Sequence, residues 1–234
     1  MVIMMVYIPL IFWGPLVANN NLVVVWDWNG TLVDDAFIFV DIMNGYLSEF
    51  SLPPISLSDY KNNFCFPVRE YYKKLGFRLS KKEFEVLSVD FIDRYKKNML
   101  HPNLKNGVID ILDFLKKNHC SQFILSAQEQ TLLNFSLKHY GIKNYFDGVF
   151  GLNNNFAESK AALAKKKLTH VLARPVVFVG DTTHDFEVSS SVGGQCCLVS
   201  WGHNSLQRLK ETKQPVVKHP KELLFFMRSL LKTL

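Results

Sequence analysis

The sequence has few cysteines, and their spacing fits neither a metal site nor a set of disulfide bonds. The four are Cys65, Cys120, Cys196 and Cys197, and none stands in the paired spacing that zinc sites and redox motifs use. The adjacent Cys196 and Cys197 are poorly placed to bridge each other, because a disulfide requires a specific separation and direction of its two Cβ atoms. We interpret all four as reduced thiols, which argues against a small disulfide-stabilised domain.

The sequence also lacks a dense basic block, although its net charge is positive. It carries 27 Lys and Arg against 21 Asp and Glu among 234 residues, for a formal net charge of +6. The lysines are spread along the chain, in short runs such as Lys165 to Lys167. A nucleic-acid surface concentrates basic residues and interleaves them with stacking aromatics, so we expect no nucleic-acid partner. Small anionic substrates are compatible with this charge.

No charged residue precedes Asp27, and the first 18 residues are strongly apolar. This stretch lacks the basic segment with which a secretory signal normally starts, and Pro9 and Pro15 would interrupt a membrane-spanning helix. We expect residues 1–20 to form an apolar N-terminal extension of a cytoplasmic protein with no stable membrane partner. Export, or membrane anchoring through residues 1–18, is the alternative. Nothing in the sequence indicates an oligomeric state.

Short apolar runs alternate with helical patterns along most of the chain. Four runs, LVVVW, QFIL, VVFVG and QCCLVS, end at or just before Asp27, Ser126, Asp181 and Ser200. They have the length and the β-branched or aromatic content of buried parallel strands. Apolar residues at helical spacing lie between them, for example over 108–115. The alternation predicts a doubly wound α/β fold with a parallel sheet, in which ligands bind beyond the carboxyl ends of the strands.

About 70 residues between the first strand and the helix near residue 107 show no strand pattern. They show helical patterns instead, which cover 36–50, 67–75 and 81–97. An insertion of this length is too long for a plain connection between two elements. We predict an α-helical cap domain over residues 35–104, inserted into an α/β core that residues 21–34 and 105–234 form.

Polar residues stand at the predicted strand ends and helix starts in an order that is typical of one family. The first motif has Asp27, Trp28, Asn29, Gly30 and Thr31, the second Ser126 and Ala127, the third Lys160, and the fourth Asp181 and Asp185 in VGDTTHD. These motifs resemble those of the haloacid dehalogenase superfamily, and in particular its phosphoglycolate phosphatase-like members with a helical cap. The resemblance covers nearly the whole chain from residue 21 onward and implies the Rossmann-like core of that superfamily.

The resemblance implies a magnesium-dependent phosphatase that hydrolyses a small phosphomonoester, a phosphorylated metabolite. Asp27 would attack phosphorus to form an aspartyl-phosphate, which splits hydrolysis into two easier steps. Converging carboxylates repel one another unless a hard cation such as Mg²⁺ lies among them. The metal ligands that we predict are Asp27, Asp181, Asp185 and the backbone carbonyl of Asn29.

The remaining site residues are predicted around the phosphoryl group and in the cap. Ser126 and Lys160 would bind the transferring oxygens, with the Lys160 ammonium as a point charge. Gly30 would permit the tight turn by which the chain leaves the first strand. Arg69 and Lys73 lie about one turn apart on a cap helix, where they would meet an anionic group of the substrate. The predicted catalytic residues are Asp27, Asn29, Ser126 and Lys160, and the predicted substrate-binding residues are Gly30, Thr31, Ser126, Ala127, Lys160 and Arg69.

Asn29 departs from the family pattern, which has an aspartate at this position as the general acid and base. An asparagine has no proton to give to the leaving oxygen and cannot activate water. General acid catalysis is typically worth about 10²- to 10⁴-fold. We therefore expect a slow or leaving-group-selective phosphatase, which handles acyl phosphates, aryl phosphates and anhydrides better than alkyl phosphates. His184 and His203 are the candidates for a substitute proton donor.

Two other functions stay open from the sequence. The phosphonate-cleaving branch of the superfamily also tolerates a non-acid at this position, but it needs a Schiff-base lysine in the cap, and Lys61, Lys73 and Lys74 match no such pattern. A module that binds phosphorylated ligands without turnover would also explain the asparagine. The retained Asp27 and Lys160 favour an enzyme.

Overall fold

A parallel β-sheet forms the centre of the structure, a computed structural model that describes residues 22–153 and 159–234. Within these ranges the strands are β1 (Val23–Trp26), β2 (Ser121–Glu129), β3 (Gly148–Leu152), β4 (Val176–Gly180), β5 (Gln195–Val199) and β6 (Val216–Val217). They lie in the order β3-β2-β1-β4-β5-β6, and every neighbouring pair is parallel. The predicted doubly wound sheet is confirmed. The predicted N-terminal extension lies outside the described residues.

Helices account for most of the remaining described chain. They are α1 (Ala36–Glu49), α2 (Leu57–Asn63), α3 (Val68–Lys74), α4 (Lys81–Asn98), α5 (Val108–Lys117), α6 (Gln130–Tyr140), α7 (Lys160–Leu168), α8 (Thr183–Ser191), α9 (Leu206–Glu211) and α10 (Pro220–Thr233), with a 3₁₀ turn at Lys143–Tyr145. None of these helices has both the length and the apolar character that crossing a membrane requires.

The sheet has a hydrophobic core on each face. Val24 and Trp26 of β1 pack into the core that α5, α6 and α10 cover. Val23 and Val25 pack into the opposite core, under α7, α8 and α9. All four side chains are buried, because successive side chains of a strand point to opposite faces and helices cover both. This explains why the sequence of β1 is an unbroken apolar run.

Helices α1 to α4 form a third layer, which has its own hydrophobic cluster. Its most buried aromatic side chains include Tyr46 and Tyr60. The chain enters and leaves this layer through two adjacent segments, since Val33 pairs with Leu104 in an antiparallel bridge. Residues 35–104, predicted as a cap, therefore contain a helical unit whose two ends meet at the edge of the core.

Some elements have little signal in the sequence. β3 contains Gly148 and Gly151, and glycine weakens a strand pattern. β6 has only two residues and α2 only seven, too few for a hydrophobic period to be recognised. The second predicted strand was also too short, because β2 continues past Ser126 to Glu129. Ser126 thus lies within β2, in the part between Leu125 and Glu129 where the register with β3 shifts.

The buried side chain of Gln122 joins the sheet to α5, and we predict that its loss destabilises the fold. Its Oε1 accepts a hydrogen bond from Trp26 Nε1 and its Nε2 donates to Leu112 O, each over 3.1 Å. Gln122→Leu should lower the free energy of unfolding by about 2–4 kcal/mol, because a buried donor and a buried acceptor lose their partners. Urea unfolding followed by circular dichroism measures this change. The exposed Gln207 is the control, and Gln207→Leu should change stability by less than about 0.5 kcal/mol; equal effects of the two variants would contradict the prediction.

Candidate active site

The ends of β1 and β4 bring two of the predicted acids together. These strands are neighbours in the sheet, with Trp26 paired to Val179, and Asp27 N donates to Val179 O over 2.8 Å. Asp27 directly follows β1 and Asp181 directly follows β4. The strand order changes direction here, because β1 to β3 extend to one side and β4 to β6 to the other. Open α/β sheets bind ligands in the crevice at such a point.

Asp27, Asp181 and Asp185 form a cluster of three carboxylates. One carboxylate oxygen from each lies within 4.8 Å of the others. Burial raises the pKa of Asp181 to about 6, although the nearby His203 opposes this shift. Burial likewise raises the pKa of Asp27 well above its usual value; Lys160 opposes the increase, and the two neighbouring carboxylates add to it. Three buried carboxylates can be ionised together only beside cations.

Lys160 supplies one of these cations. It is the first residue of α7, whose N-cap is Ser159, and only 6% of its side chain is exposed. The Lys160 ammonium donates to Asp185 Oδ1 over 2.5 Å and also to Asp27 Oδ1. Burial lowers the pKa of Lys160, but the two carboxylates outweigh it and the net pKa is raised. The structure thus brings the predicted lysine into contact with the predicted nucleophile.

Glycines allow the backbone to approach the carboxylates closely. A Cβ atom on Gly202 would lie 2.2 Å from Asp181 Oδ2, and one on Gly180 would lie 2.2 Å from Asp185 Cγ. Any side chain at either glycine would therefore displace a carboxylate. The resulting cluster of hard oxygen ligands fits Mg²⁺, which proteins hold through a small number of carboxylates. The backbone carbonyl of Asn29 stays a predicted fourth ligand.

The side chain of Asn29 is held inside the protein by a buried carboxylate. Its Nδ2 donates to Asp35 Oδ2 over 2.5 Å and to the Tyr95 hydroxyl over 2.7 Å. Asp35 also accepts hydrogen bonds from Gly30 N over 2.9 Å and from the Tyr95 hydroxyl over 3.0 Å, and it has no exposed surface. Sequence reasoning missed Asp35 and Tyr95. The paired acids that close VVVWDWNGTLVDD were the available signal for Asp35, and Tyr95 had none beyond its place on a helix face.

His203 lies beside this network. Its Nδ1 is 2.8 Å from the Tyr60 hydroxyl, and its Nε2 is 3.3 Å from Asp35 Oδ1, without the geometry of a hydrogen bond. Burial lowers the pKa of His203, but Asp35 and Asp181 outweigh it and the net pKa is raised. Its backbone N–H donates to Asp181 Oδ2 over 2.5 Å. His184, the other candidate proton donor, lies on α8 with 22% of its side chain exposed.

A cavity of about 490 Å³ lies between the strand ends and helices α1 to α4. The predicted site residues that line it are Asp27, Asn29, Arg69, Ser126, Ala127, Lys160, Asp181 and Asp185. Gly30 and Thr31, which were also predicted to bind the substrate, are not among the lining residues. Thr31 lies beside the carboxylates, and its Oγ1 donates to Asp181 Oδ1 over 2.9 Å. Gly30 has the left-handed backbone conformation (φ 70°) that its tight turn requires.

The cap side of the cavity differs from what the sequence suggested. Arg69 and Lys73 do not form a joint anion site, because Lys73 is exposed and pairs with Glu70 over 2.7 Å. Arg69 Nη2 donates to Leu79 O over 3.3 Å. Gln128, which the sequence did not single out, lines the cavity, and its backbone N–H donates to Ser126 Oγ over 3.0 Å.

The fold and the site together define a class: an α/β protein with a cluster of three carboxylates at the switch point of a parallel sheet, beside an inserted helical layer. A sequence model of the haloacid dehalogenase-like hydrolases matches residues 24–199. The chain belongs to this family, and the resemblance that the motifs indicated is confirmed.

Known relatives support this assignment. The chain is 27% identical over 193 residues to a phosphoglycolate phosphatase of Synechococcus elongatus, covering 80% of this chain and 87% of that protein. It is 23% identical over 203 residues to the tyrosine-protein kinase PtkA of Mycobacterium tuberculosis, covering 84% and 68%. A haloacid dehalogenase-like hydrolase from Streptococcus pneumoniae shares the fold, with a TM-score of 0.75 at 21% identity over 89% of this chain and 99% of that one.

The pairing of Asn29 with Asp35 generates a charge-swap prediction. Asn29→Asp should lower the free energy of unfolding at pH 7 by about 2–4 kcal/mol, because it places a second carboxylate against a buried one. Adding Asp35→Asn exchanges the two groups, so that an amide at position 35 can donate to the carboxylate at position 29. The free energy of unfolding of the double variant should then lie within about 1 kcal/mol of that of the unaltered protein. Urea unfolding of both single variants and the double variant completes the cycle. If the Asn29→Asp protein is as stable as the original, the prediction that Asp35 disfavours a carboxylate at position 29 is wrong.

Proposed function

We propose that this protein is a magnesium-dependent phosphatase that hydrolyses a small phosphomonoester through an aspartyl-phosphate on Asp27. The observation that carries the proposal is the contact of Asp27 with the Lys160 ammonium, inside a cluster of three carboxylates at a cavity. Membership of a hydrolase family and similarity to a phosphoglycolate phosphatase support it.

The side chains fit the roles that this reaction requires. Asp27 would attack phosphorus, the bond from phosphorus to the leaving oxygen would break, and water would then release phosphate from the aspartate. Burial raises the pKa of Asp27, whereas the Lys160 ammonium lowers it and so favours the ionised form that a nucleophile needs. Asp27, Asp181 and Asp185 would hold Mg²⁺, which when bound neutralises charge on the phosphoryl oxygens. Ser126 and Lys160 would orient those oxygens.

Asn29 limits which esters this site would hydrolyse quickly. It carries no titrating proton, and both of its N–H groups are already donated to Asp35 and Tyr95. The leaving oxygen must therefore depart as an anion or take a proton from elsewhere. This favours aryl phosphates, acyl phosphates and anhydrides over alkyl phosphates. His184 and His203 both line the cavity, and both stay candidates for that donor.

The alternative functions have weaker support. A phosphonate hydrolase would need a cap lysine at the site, but Lys61 donates to Trp201 O over 3.0 Å and Lys73 pairs with Glu70 on the surface. A binding module would not need a nucleophile in contact with a buried lysine. The four cysteines are free, which fits the cytoplasmic location that we propose.

Hydrolysis of para-nitrophenyl phosphate tests the proposed reaction. With Mg²⁺ the unaltered protein should release para-nitrophenol, whose oxygen leaves without a general acid. Asp27→Asn should reduce the rate by more than about 10³-fold, because the nucleophile is lost. Release is followed by absorbance, with folding of the variant checked by circular dichroism. A folded Asp27→Asn protein that keeps its Mg²⁺-dependent rate would exclude Asp27 as the nucleophile.

Mg²⁺ binding can be tested without turnover. Added Mg²⁺ should raise the melting temperature of the unaltered protein, because a ligand that binds only the folded state stabilises it by RT ln(1 + [Mg²⁺]/Kd). Asp181→Asn should remove most of this increase. Asp147→Asn should keep it, because the exposed Asp147 directly precedes β3, whereas Asp27 and Asp181 directly follow their strands. Differential scanning fluorimetry over a Mg²⁺ titration gives the result. A shift that survives Asp181→Asn would place the cation elsewhere.

A further inference from the structure

The cap side of the cavity is lined mainly by aromatic and aliphatic side chains. Its aromatic members include Phe39, Tyr60, Phe64, Tyr71, Phe91 and Tyr95. On α4 the lining residues Phe84, Ser88, Phe91 and Tyr95 recur every three or four positions, so one whole face of that helix is turned to the cavity. The volume, about 490 Å³, lies in the range of about 300–1,000 Å³ that pockets for ligands with substantial organic groups occupy.

The same cavity offers little to a second negative charge on the substrate. Of the lysines and arginines in the described cap, Arg69 is the one that lines it, and its Nη2 donates to Leu79 O over 3.3 Å. On the core side the Lys160 ammonium contacts Asp27 and Asp185, and the proposed reaction assigns it to the phosphoryl group rather than to the leaving group. A carboxylate carried by the leaving group would therefore enter a pocket lined mainly by aromatic side chains, where the one cap cation is already bonded to a backbone carbonyl. Glu129 and the three aspartates add negative charge to the same lining, and burying a poorly compensated charge is unfavourable.

Two residues with neutral polar side chains, Tyr71 and Gln128, also line the cavity. The Tyr71 hydroxyl lacks a hydrogen-bond partner among the described residues, as do Nε2 and Oε1 of Gln128. Tyr71 is 1% exposed, and both residues line the cavity. Buried polar groups normally have partners, and a few neutral groups in an apolar pocket are a common means of orienting a ligand. These groups suit an uncharged organic moiety.

We propose that the cavity selects phosphate esters whose leaving group is uncharged and aromatic, in preference to short anionic ones such as phosphoglycolate. This substrate class rests on the proposed phosphatase function and refines it. The phosphoryl group lies at Asp27 and Lys160, and the ring lies among the aromatic side chains of the cap. In hydrolysis the aryl oxygen takes the electron pair of its bond to phosphorus and leaves as an aryloxide, which needs no proton from residue 29.

Two phosphonates that the proposed reaction does not cleave separate binding from turnover. Benzylphosphonate carries an uncharged ring, whereas phosphonoacetate carries a carboxylate in place of the ring. In the presence of Mg²⁺, isothermal titration calorimetry should show benzylphosphonate binding the unaltered protein at least about tenfold more tightly, because the ring is removed from water. Arg69→Gln should change the Kd of phosphonoacetate by less than about twofold, because Arg69 is not its carboxylate partner.

A cation placed in the pocket should reverse this preference. Ser88 lines the cavity, and Ser88→Arg should weaken benzylphosphonate and strengthen phosphonoacetate, each by at least about fivefold, because the guanidinium fills space and pairs with the carboxylate. Val89→Arg is the matched control. Val89 follows on the same helix with 48% exposure, and its arginine should leave both Kd values within about twofold.

The outcomes distinguish the substrate class from the reaction. If phosphonoacetate binds the unaltered protein as tightly as benzylphosphonate, the substrate class is overturned, even where para-nitrophenyl phosphate is hydrolysed. Binding of neither phosphonate, or equal effects of Ser88→Arg and Val89→Arg, would also overturn it. If benzylphosphonate is preferred but no Asp27-dependent hydrolysis occurs, the proposed reaction fails and the preference of the cavity stands as a binding property.

Discussion

The contact of one buried ammonium with two carboxylates is the constraint on which this site depends. Lys160 approaches both Asp27 and Asp185, and Asp181 completes the acidic cluster. Bringing three carboxylates together in a buried place is costly unless positive charge compensates them. The sheet imposes this convergence, because β1 and β4 are adjacent and end at the same edge. The absence of a side chain at Gly180 and Gly202 leaves the space that the Asp185 and Asp181 carboxylates occupy.

The helical layer is joined to this charged centre through tyrosines. Tyr95 of α4 donates to Asp35, and Tyr60 of α2 lies in hydrogen-bonding distance of His203. Both partners belong to the network that surrounds Asn29. The position of the helical layer and the side chain of Asn29 are therefore linked by direct contacts, and movement of that layer would break hydrogen bonds to a fully buried carboxylate. An aspartate at position 29 would conflict with the same carboxylate.

The fold and most of the charged centre could be predicted from the sequence, because both have local signatures. Buried strands such as β4 are short apolar runs, and Asp27 and Asp181 stand directly after them, so topology alone brings the acids together. Asp35 and Tyr95 could not be assigned to the site in this way. Their roles arise from contacts across 60 positions of the sequence, and such contacts leave no periodic pattern. Arg69 was predicted from its charge and spacing to bind the substrate, and it lines the cavity; its contact with Leu79 O could be seen only in three dimensions.

The asparagine and the aromatic pocket impose requirements on the same part of the substrate. Without a carboxylic acid at position 29, the leaving oxygen must bear its negative charge well, which an aryl oxygen does by delocalising it into the ring. On its cap side, the pocket that would adjoin that oxygen is lined mainly by rings, and Arg69 is the one lysine or arginine of the described cap there, so in our proposal it accommodates the same ring and disfavours a carboxylate. Each feature taken alone has a structural explanation: the amide supports Asp35, and the aromatic side chains form the core of the cap. Their proximity has a consequence for the substrate that neither explanation requires. An aromatic leaving group both fits the pocket and can leave without a proton from residue 29.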